Sequence, residues 1–182
     1  MKSDNETEKL LASDHTALDH AFDALVLAID ENDPVESFSR LDLLWARLAM
    51  HIRAEHLCLF PAILSAFAAA QSAQKTTLDS DAVRDAIEEL RKDHDFFMHE
   101  MARAINILRK IKTSGNEHSN TWQDTVRQVT LAIRHRLETH NALEEEKLYR
   151  WASTLLTGPD QAGLASRVRS ELENLPPRFR EN

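Results

Sequence analysis

Glycine is scarce in this sequence: the 182 residues include only three, together with five prolines. Loops that bind phosphate through backbone amides need several closely spaced glycines, and no G-x-G-x-x-G or P-loop motif can be written anywhere in the chain. This excludes nucleotide sites built on such loops. Because helix-breaking residues are few while Ala, Leu, Glu and Arg are frequent, the composition predicts an almost wholly helical chain.

Cysteine, excess basic charge and long apolar runs are also missing. The single cysteine, Cys58, excludes an internal disulfide and is typical of a reducing compartment. A net charge of −8 argues against a nucleic-acid partner, because affinity for phosphates depends on clustered Lys and Arg. The N-terminal residues lack the apolar segment of a signal peptide, and no uninterrupted apolar run approaches the roughly 18 residues of a membrane span. We therefore expect a cytoplasmic protein with neither a nucleic-acid nor a membrane partner.

Apolar residues at helical spacing are what the sequence does contain. The spacing predicts four long helices and one short C-terminal helix, over residues 6–30, 34–70, 81–112, 121–156 and 160–175. Asp33 is the predicted N-cap of the second helix, Pro61 is expected to kink that helix, and Gly158-Pro159 is expected to end the fourth. The predicted fold is an all-α, antiparallel four-helix bundle with a short fifth helix. We expect one domain over residues 1–182, with the bundle at about 6–156 and a C-terminal extension at 157–182.

Two of the predicted helices share a polar pattern, His51-Ile-Arg-Ala-Glu55 and His140-Asn-Ala-Leu-Glu144. Residues four apart lie on the same face of a helix, with roughly 5–6 Å between their Cβ atoms. An imidazole and a carboxylate at this spacing can bind one metal ion, or the carboxylate can bridge to a second. The two segments share only this short pattern, which does not extend into a longer sequence repeat.

Eight of the nine histidines form pairs five residues apart, at positions 15/20, 51/56, 94/99 and 135/140. Five residues turn a helix by about 500°, so the members of a pair point some 140° apart, and only one faces the core unless a π-bulge intervenes. The apolar register selects three of them for the core: His15, His94 and His140. In the second helix His51 and His56 flank the apolar stripe on either side. The neighbouring Glu55 favours His51, and a contribution from His56 stays open.

A plainer interpretation treats these histidines as hydrogen-bonded core residues, but inward-facing glutamates do not fit it. Burying an unpaired carboxylate costs several kcal/mol, whereas shared cations offset that cost. Imidazoles and carboxylates without thiolates suit iron, manganese or zinc. Six ligands exceed the four of a tetrahedral zinc site, and two metals with bridging carboxylates use them all. The predicted metal ligands are His15, His51, Glu55, His94, His140 and Glu144, and no catalytic side chain is predicted.

These residues resemble the hemerythrin-like, cation-binding HHE domain family over about residues 10–156. The resemblance rests on the following motifs: His15 after Asp14, His51-x-x-x-Glu55 before Leu59-Phe60-Pro61, His94, and His140-x-x-x-Glu144-Glu145 before Leu148-Tyr149. It implies a four-helix bundle with two non-haem iron ions held by the four histidines. Glu55 and Glu144 would bridge the two ions, together with an oxo or hydroxo group.

Two positions depart from the oxygen-carrying hemerythrins. Met98 stands where those proteins have a fifth histidine, four residues after His94. Those proteins also have an aspartate five residues after their last histidine, whereas this chain has Glu144 four residues after His140. His99 would supply the missing ligand only through a local bulge. Four histidines with two glutamates are more similar to di-iron proteins that protect or repair iron–sulfur centres, although the cysteine-bearing N-terminal module of those proteins is not in this sequence.

The resemblance implies a non-haem di-iron protein that binds or reduces a small oxidant: O₂, peroxide or NO. A second hypothesis is a non-catalytic module that senses metal or oxygen, or stores iron, and acts through a protein partner. The expected partners are a small diatomic or peroxide ligand and, as one option, a second copy of the chain in a homodimer. Neither the electron donor nor the question of enzymatic turnover is determined by the sequence.

Overall fold

A computed structural model describes residues 6–114 and 121–179, and the regular structure within these ranges is entirely helical. The helices are α1 (Glu6–Asp30), α2 (Pro34–Ala54), α3 (Phe60–Ser72), α4 (Ser80–Ser114), α5 (Thr121–Leu143), α6 (Tyr149–Leu155) and α7 (Gly158–Leu172). Two π-helical turns, Glu55–Leu59 and Glu144–Leu148, join α2 to α3 and α5 to α6, and a short 3₁₀ turn follows at Pro177–Phe179. The predicted all-α class is confirmed.

Four long helical units pack around one axis: α1; α2, continued by α3; α4; and α5, continued by α6. Helix α1 contacts α2 and α5, and α4 contacts the same two helices, so the order around the bundle is α1, α2, α4, α5. Only residues 31–33 connect α1 to α2, which forces the two helices to run in opposite directions. Asp33 caps α2 as predicted, accepting hydrogen bonds from the backbone N–H groups of Val35 and Glu36. The predicted four-helix bundle with an added C-terminal helix is confirmed.

Each unit that carries the His-x-x-x-Glu pattern contains a π-helical turn that begins at the glutamate. The N–H of Phe60 donates to the carbonyl of Glu55, and the N–H of Tyr149 donates to the carbonyl of Glu144, five residues back instead of four. The sequence predicted a kink at Pro61. The first π turn, which is wider than an α-helical turn, directly precedes the Phe60-Pro61 pair. In a regular α-helix the ring of Pro61 would clash with the carbonyl four residues back. The second π turn contains no proline and was not predicted.

Helix α7 builds the C-terminal extension into the bundle. The preceding helix ends at Leu155, just before the Gly158-Pro159 pair that was expected to end it, and α7 begins at that pair, with the proline in its first turn. Leu164, Ala165 and Val168 are buried, and α7 contacts α1, α2 and the first π turn. An ion pair of 3.1 Å between Arg53 and Glu171 ties the end of α7 to α2.

A polar layer divides the apolar core into two halves. One half contains Leu18, Leu48, Phe97 and Leu137; the other contains Leu11, Ala54, Leu90 and Leu148. Along every long unit, the change from one half to the other occurs at a buried histidine, namely His15, His51, His94 or His140. The layer therefore lies across the middle of the bundle, closed by apolar packing above and below.

Within the described ranges one segment, Pro34–Ser72, is long and apolar enough to satisfy the length and composition of a membrane span. In the folded chain this segment lies between α1 and α4. It also carries three fully buried polar side chains, Ser37, His51 and Glu55. Of its most apolar window, 39% is buried inside the bundle.

Candidate metal centre

All six predicted ligands lie together in the polar layer. Each of the four helical units contributes: α1 and α4 provide one histidine each, and the other two units provide a histidine and, at the start of the π turn, a glutamate. His51, Glu55 and Glu144 have no exposed surface, and the most exposed member of the set, His15, is only 6% exposed. The structure therefore brings together every side chain that the sequence selected.

The ligand atoms form two groups, each compact enough to surround one cation, with all atoms of a group within 4.8 Å of one another. In the first group, site A, His15 Nε2 lies 3.2 Å from His51 Nε2 and 3.2 Å from a Glu144 oxygen. In the second group, site B, His94 Nε2 lies 3.2 Å from His140 Nε2 and 2.9 Å from a Glu55 oxygen. Both sites thus pair two inward-facing imidazole nitrogens with carboxylate.

Each glutamate presents one oxygen to each site. Glu55 Oε1 lies 3.0 Å from His51 Nε2, while its Oε2 faces His94 in site B. Glu144 Oε1 lies 3.5 Å from His140 Nε2, while its Oε2 faces His15 in site A. This placement would let each carboxylate contact a cation in both sites.

Two aspartates orient the histidines from outside the sites. Asp14 Oδ2 lies 2.9 Å from His51 Nδ1, and Asp93 Oδ2 lies 3.2 Å from His140 Nδ1. Asp93 also accepts a hydrogen bond of 2.6 Å from Arg136 Nε. An Nδ1–H donated to a carboxylate leaves the Nε2 lone pair pointing inward, as metal-binding histidines require. Sequence reasoning did not assign this role to either aspartate, although the Asp-His pair recurs at 14–15 and 93–94.

His56 reaches the edge of the site, so both members of its pair contribute. The π turn that begins at Glu55 directs His56 toward α4, where its Nε2 lies 2.8 Å from the Nδ1 of His94. His56 is thereby an outer partner of a ligand. His99 lies exposed on α4, which is regular α-helix throughout, and the bulge that would have brought it inward is absent from that helix.

Aromatic rings close both sides of the site. Tyr149 stacks on His15 with 6.5 Å between ring centroids, and Phe60 stacks on His94 with 6.1 Å. Both residues follow a π turn directly and occupy equivalent places. The hydroxyl of Tyr149 donates a hydrogen bond of 3.1 Å to Glu144 Oε2. The similarity between the two His-x-x-x-Glu segments therefore continues into the residues that follow each glutamate, with Leu-Phe at 59–60 and Leu-Tyr at 148–149.

Opposite charges compensate one another across the layer. Burial alone would lower the pKa of His51, but Glu55 and Asp14 outweigh it and raise that pKa well above its usual value. Burial likewise opposes the protonation of His140, yet Asp93 and Glu144 raise its pKa to about 9. Burial would raise the pKa of Glu55, and the neighbouring imidazoles lower it well below its usual range instead.

Three of the four glutamate oxygens nevertheless lack a hydrogen-bond donor among the described residues. Both oxygens of Glu55 and Oε1 of Glu144 are buried without a hydrogen bond among the described residues, although imidazole nitrogens lie within ion-pair distance. Buried polar atoms left in this state cost free energy, and a cation between nitrogen and oxygen removes that cost. The donor set, imidazole nitrogen with carboxylate oxygen and no thiolate, fits iron, manganese or zinc.

We expect the metal-free protein to lose stability as pH rises from about 6.5 to 9. The pKa of His140 is raised from 6.5 to about 9 in the folded state. Its contribution is therefore complete below pH 6.5 and is lost as pH passes the folded value, a change of up to about 3 kcal/mol. Urea unfolding at pH 6.5 and 9 in a chelator measures it. Asp93→Asn should reduce the difference in unfolding free energy between the two pH values. An unchanged difference in that variant would contradict the assignment of the pH dependence to His140.

The comparison with protein families agrees with this geometry. The family model described as the hemerythrin HHE cation-binding domain matches residues 7–152. This range includes all six predicted ligands and both π turns and ends before α7. No curated protein and no solved structure matches the chain. On the strength of the family match and the two His/Glu clusters, the chain belongs to the hemerythrin HHE cation-binding domain family.

Proposed function

We propose that this chain is a non-haem di-iron protein that binds or reduces a small oxidant such as O₂, peroxide or NO. The observation that carries the proposal is the division of Glu55 and Glu144 between the two sites, one oxygen to each. Two buried carboxylates placed in this way suit two cations held side by side. A single cation would leave half of the oxygens without a partner.

The donor count supports a reactive centre. Site A offers His15, His51 and one oxygen from each glutamate, and site B offers His94, His140 and the remaining oxygens. Iron sites that react with oxygen use two histidines and a carboxylate and keep positions open, so four donors per cation leave room for a small ligand. Two irons bound here would supply a redox pair at which such an oxidant is bound or reduced.

The surroundings of the site favour a small substrate. The six ligands are at most 6% exposed, and Phe60, Phe97 and Tyr149 pack fully buried against the imidazoles. Access is therefore restricted to molecules of a few atoms. The same packing excludes bulk water, while Asp14 and Asp93 hold the two histidines of the α2 and α5 units in orientation.

Anaerobic loading with iron(II), followed by metal analysis and by assays of O₂, peroxide and NO consumption, tests the proposal. We expect two irons per chain and consumption of at least one of these oxidants. The double variant His15→Ala/His94→Ala, which removes one ligand from each site, is the matched control. Protein that stays free of metal after loading contradicts the proposal. Two bound irons without consumption favour the alternative of metal sensing or iron storage.

A further inference from the structure

The two halves of the site are built alike, which makes their differences informative. In each half, the residue directly after the bridging glutamate lies beside the outer nitrogen of the histidine on the neighbouring single-histidine helix. His56 follows Glu55 and contacts His94, while Glu145 follows Glu144 and faces His15. Both residues are turned toward their histidine because a π turn begins at the preceding glutamate.

The two contacts differ in length. His56 Nε2 lies 2.8 Å from His94 Nδ1, whereas Glu145 Oε1 lies 3.9 Å from His15 Nδ1. As a result, the Nδ1 of His15 is buried without a hydrogen bond among the described residues. The outer nitrogens of the other three histidines each have a hydrogen-bond partner: His51 donates to Asp14, His140 donates to Asp93, and His94 pairs with His56.

The missing hydrogen bond at His15 Nδ1 becomes important when the imidazole binds a metal. An imidazole that binds a cation through Nε2 carries its proton on Nδ1, and metal-bound histidines almost always donate that proton to an acceptor. For His15 the candidate acceptor is the Glu145 carboxylate, which needs a shift of about 1 Å to reach hydrogen-bond distance. The Glu145 side chain is 56% exposed and free to make that shift, whereas the Asp14 and Asp93 side chains are only 16% and 10% exposed.

We propose that Glu145 is the positioning residue of His15, and that its exposed contact makes site A the position that exchanges its metal first. This inference rests on the proposed function, since it requires cations in both sites. Glu145 does not bind the cation itself; it orients the imidazole that does. Site B, with sheltered Asp93 and the short His56 contact, keeps its cation longer.

Cobalt(II), whose visible spectrum reports on each bound ion, is the probe for the test. Protein loaded with two cobalt ions is mixed with excess chelator, and the loss of the spectrum is followed in time. We expect two phases for the unaltered chain. Glu145→Ala should accelerate the fast phase by roughly 10–100-fold, the usual effect of losing an outer partner, and leave the slow phase unchanged.

Three variants complete the experiment. Glu146→Ala removes the same charge from the next exposed position and should change neither phase. Glu145→Gln keeps an acceptor oxygen and should restore much of the slower release, which a general loss of stability would not do. His94→Ala, or His140→Ala if the first does not fold, removes a ligand of site B and should keep only the fast phase.

The outcomes distinguish a failure of the Glu145 inference from a failure of the proposed metal centre. A single phase in the unaltered chain overturns the proposed order of exchange, and equal release from Glu145→Ala and Glu146→Ala overturns the role of Glu145; the metal centre stands in both cases. Retention of only the slow phase in His94→Ala reverses the order of exchange and overturns the inference as well. Failure of the unaltered chain to bind cobalt overturns the metal centre itself.

Discussion

Replacing either bridging glutamate with glutamine is expected to weaken both metal positions at once, whereas replacing a histidine weakens one. Glu55 and Glu144 each present one oxygen to site A and the other to site B. Glutamine keeps the shape but removes the charge that two neighbouring cations need. Each position should lose more than about 100-fold in affinity, since losing only an outer partner costs roughly 10–100-fold.

Glu55→Gln should have the larger effect of the two. Its oxygens lie 3.0 and 2.9 Å from the imidazole nitrogens of the two sites, whereas those of Glu144 lie 3.2 and 3.5 Å away. Metal analysis after gel filtration measures the result, with Glu146→Gln as a surface control. Two tightly bound ions in Glu55→Gln would refute the bridging role. A loss confined to one ion would show that the carboxylate serves a single site.

Metal binding is expected to raise the melting temperature by roughly 10–20 °C. A ligand at 100 times its dissociation constant adds about 2.7 kcal/mol to the free energy of unfolding, so two cations add about 5 kcal/mol. In a chain of this size, each kcal/mol raises the melting temperature by about 2–4 °C. The physical source is the buried layer, where the oxygens of Glu55 lack hydrogen bonds among the described residues until a cation binds.

Scanning calorimetry with iron(II), manganese(II) or zinc(II), and with a chelator, measures this increment. Glu55→Gln is the informative partner experiment, because it removes the bridging charge without creating a cavity and should lose most of the increment. Magnesium, which keeps its water ligands and avoids imidazole nitrogen, should stabilise little. Equal melting temperatures with metal and with chelator would show that the polar layer stabilises itself.

The helices and the ligand set could be predicted from the sequence because both depend on local periodicity. Helix α1 has its predicted bounds, Glu6–Asp30, since the spacing of its apolar residues and the neighbouring cap are properties of consecutive residues. The same periodicity identified His15, His94 and His140, because a residue on the apolar stripe of a bundle helix has no other place to point. The His-x-x-x-Glu spacing, which is also a local pattern, selected His51 and the two glutamates. The family resemblance followed from these residues.

Tertiary structure alone decided how those side chains divide between two sites and what supports them. Asp14 orients His51, 37 positions away, and Asp93 orients His140, 47 positions away, although each aspartate immediately precedes a different ligand histidine. Periodicity assigns a side chain to a face of its own helix, but it contains no information about the rotation and height of the facing helix. The π turns depend on the same packing, since each one directs both a glutamate and the residue after it toward a histidine of a neighbouring helix. The sequence therefore determined which residues enter the polar layer, and the packing of four helices determined the partner of each.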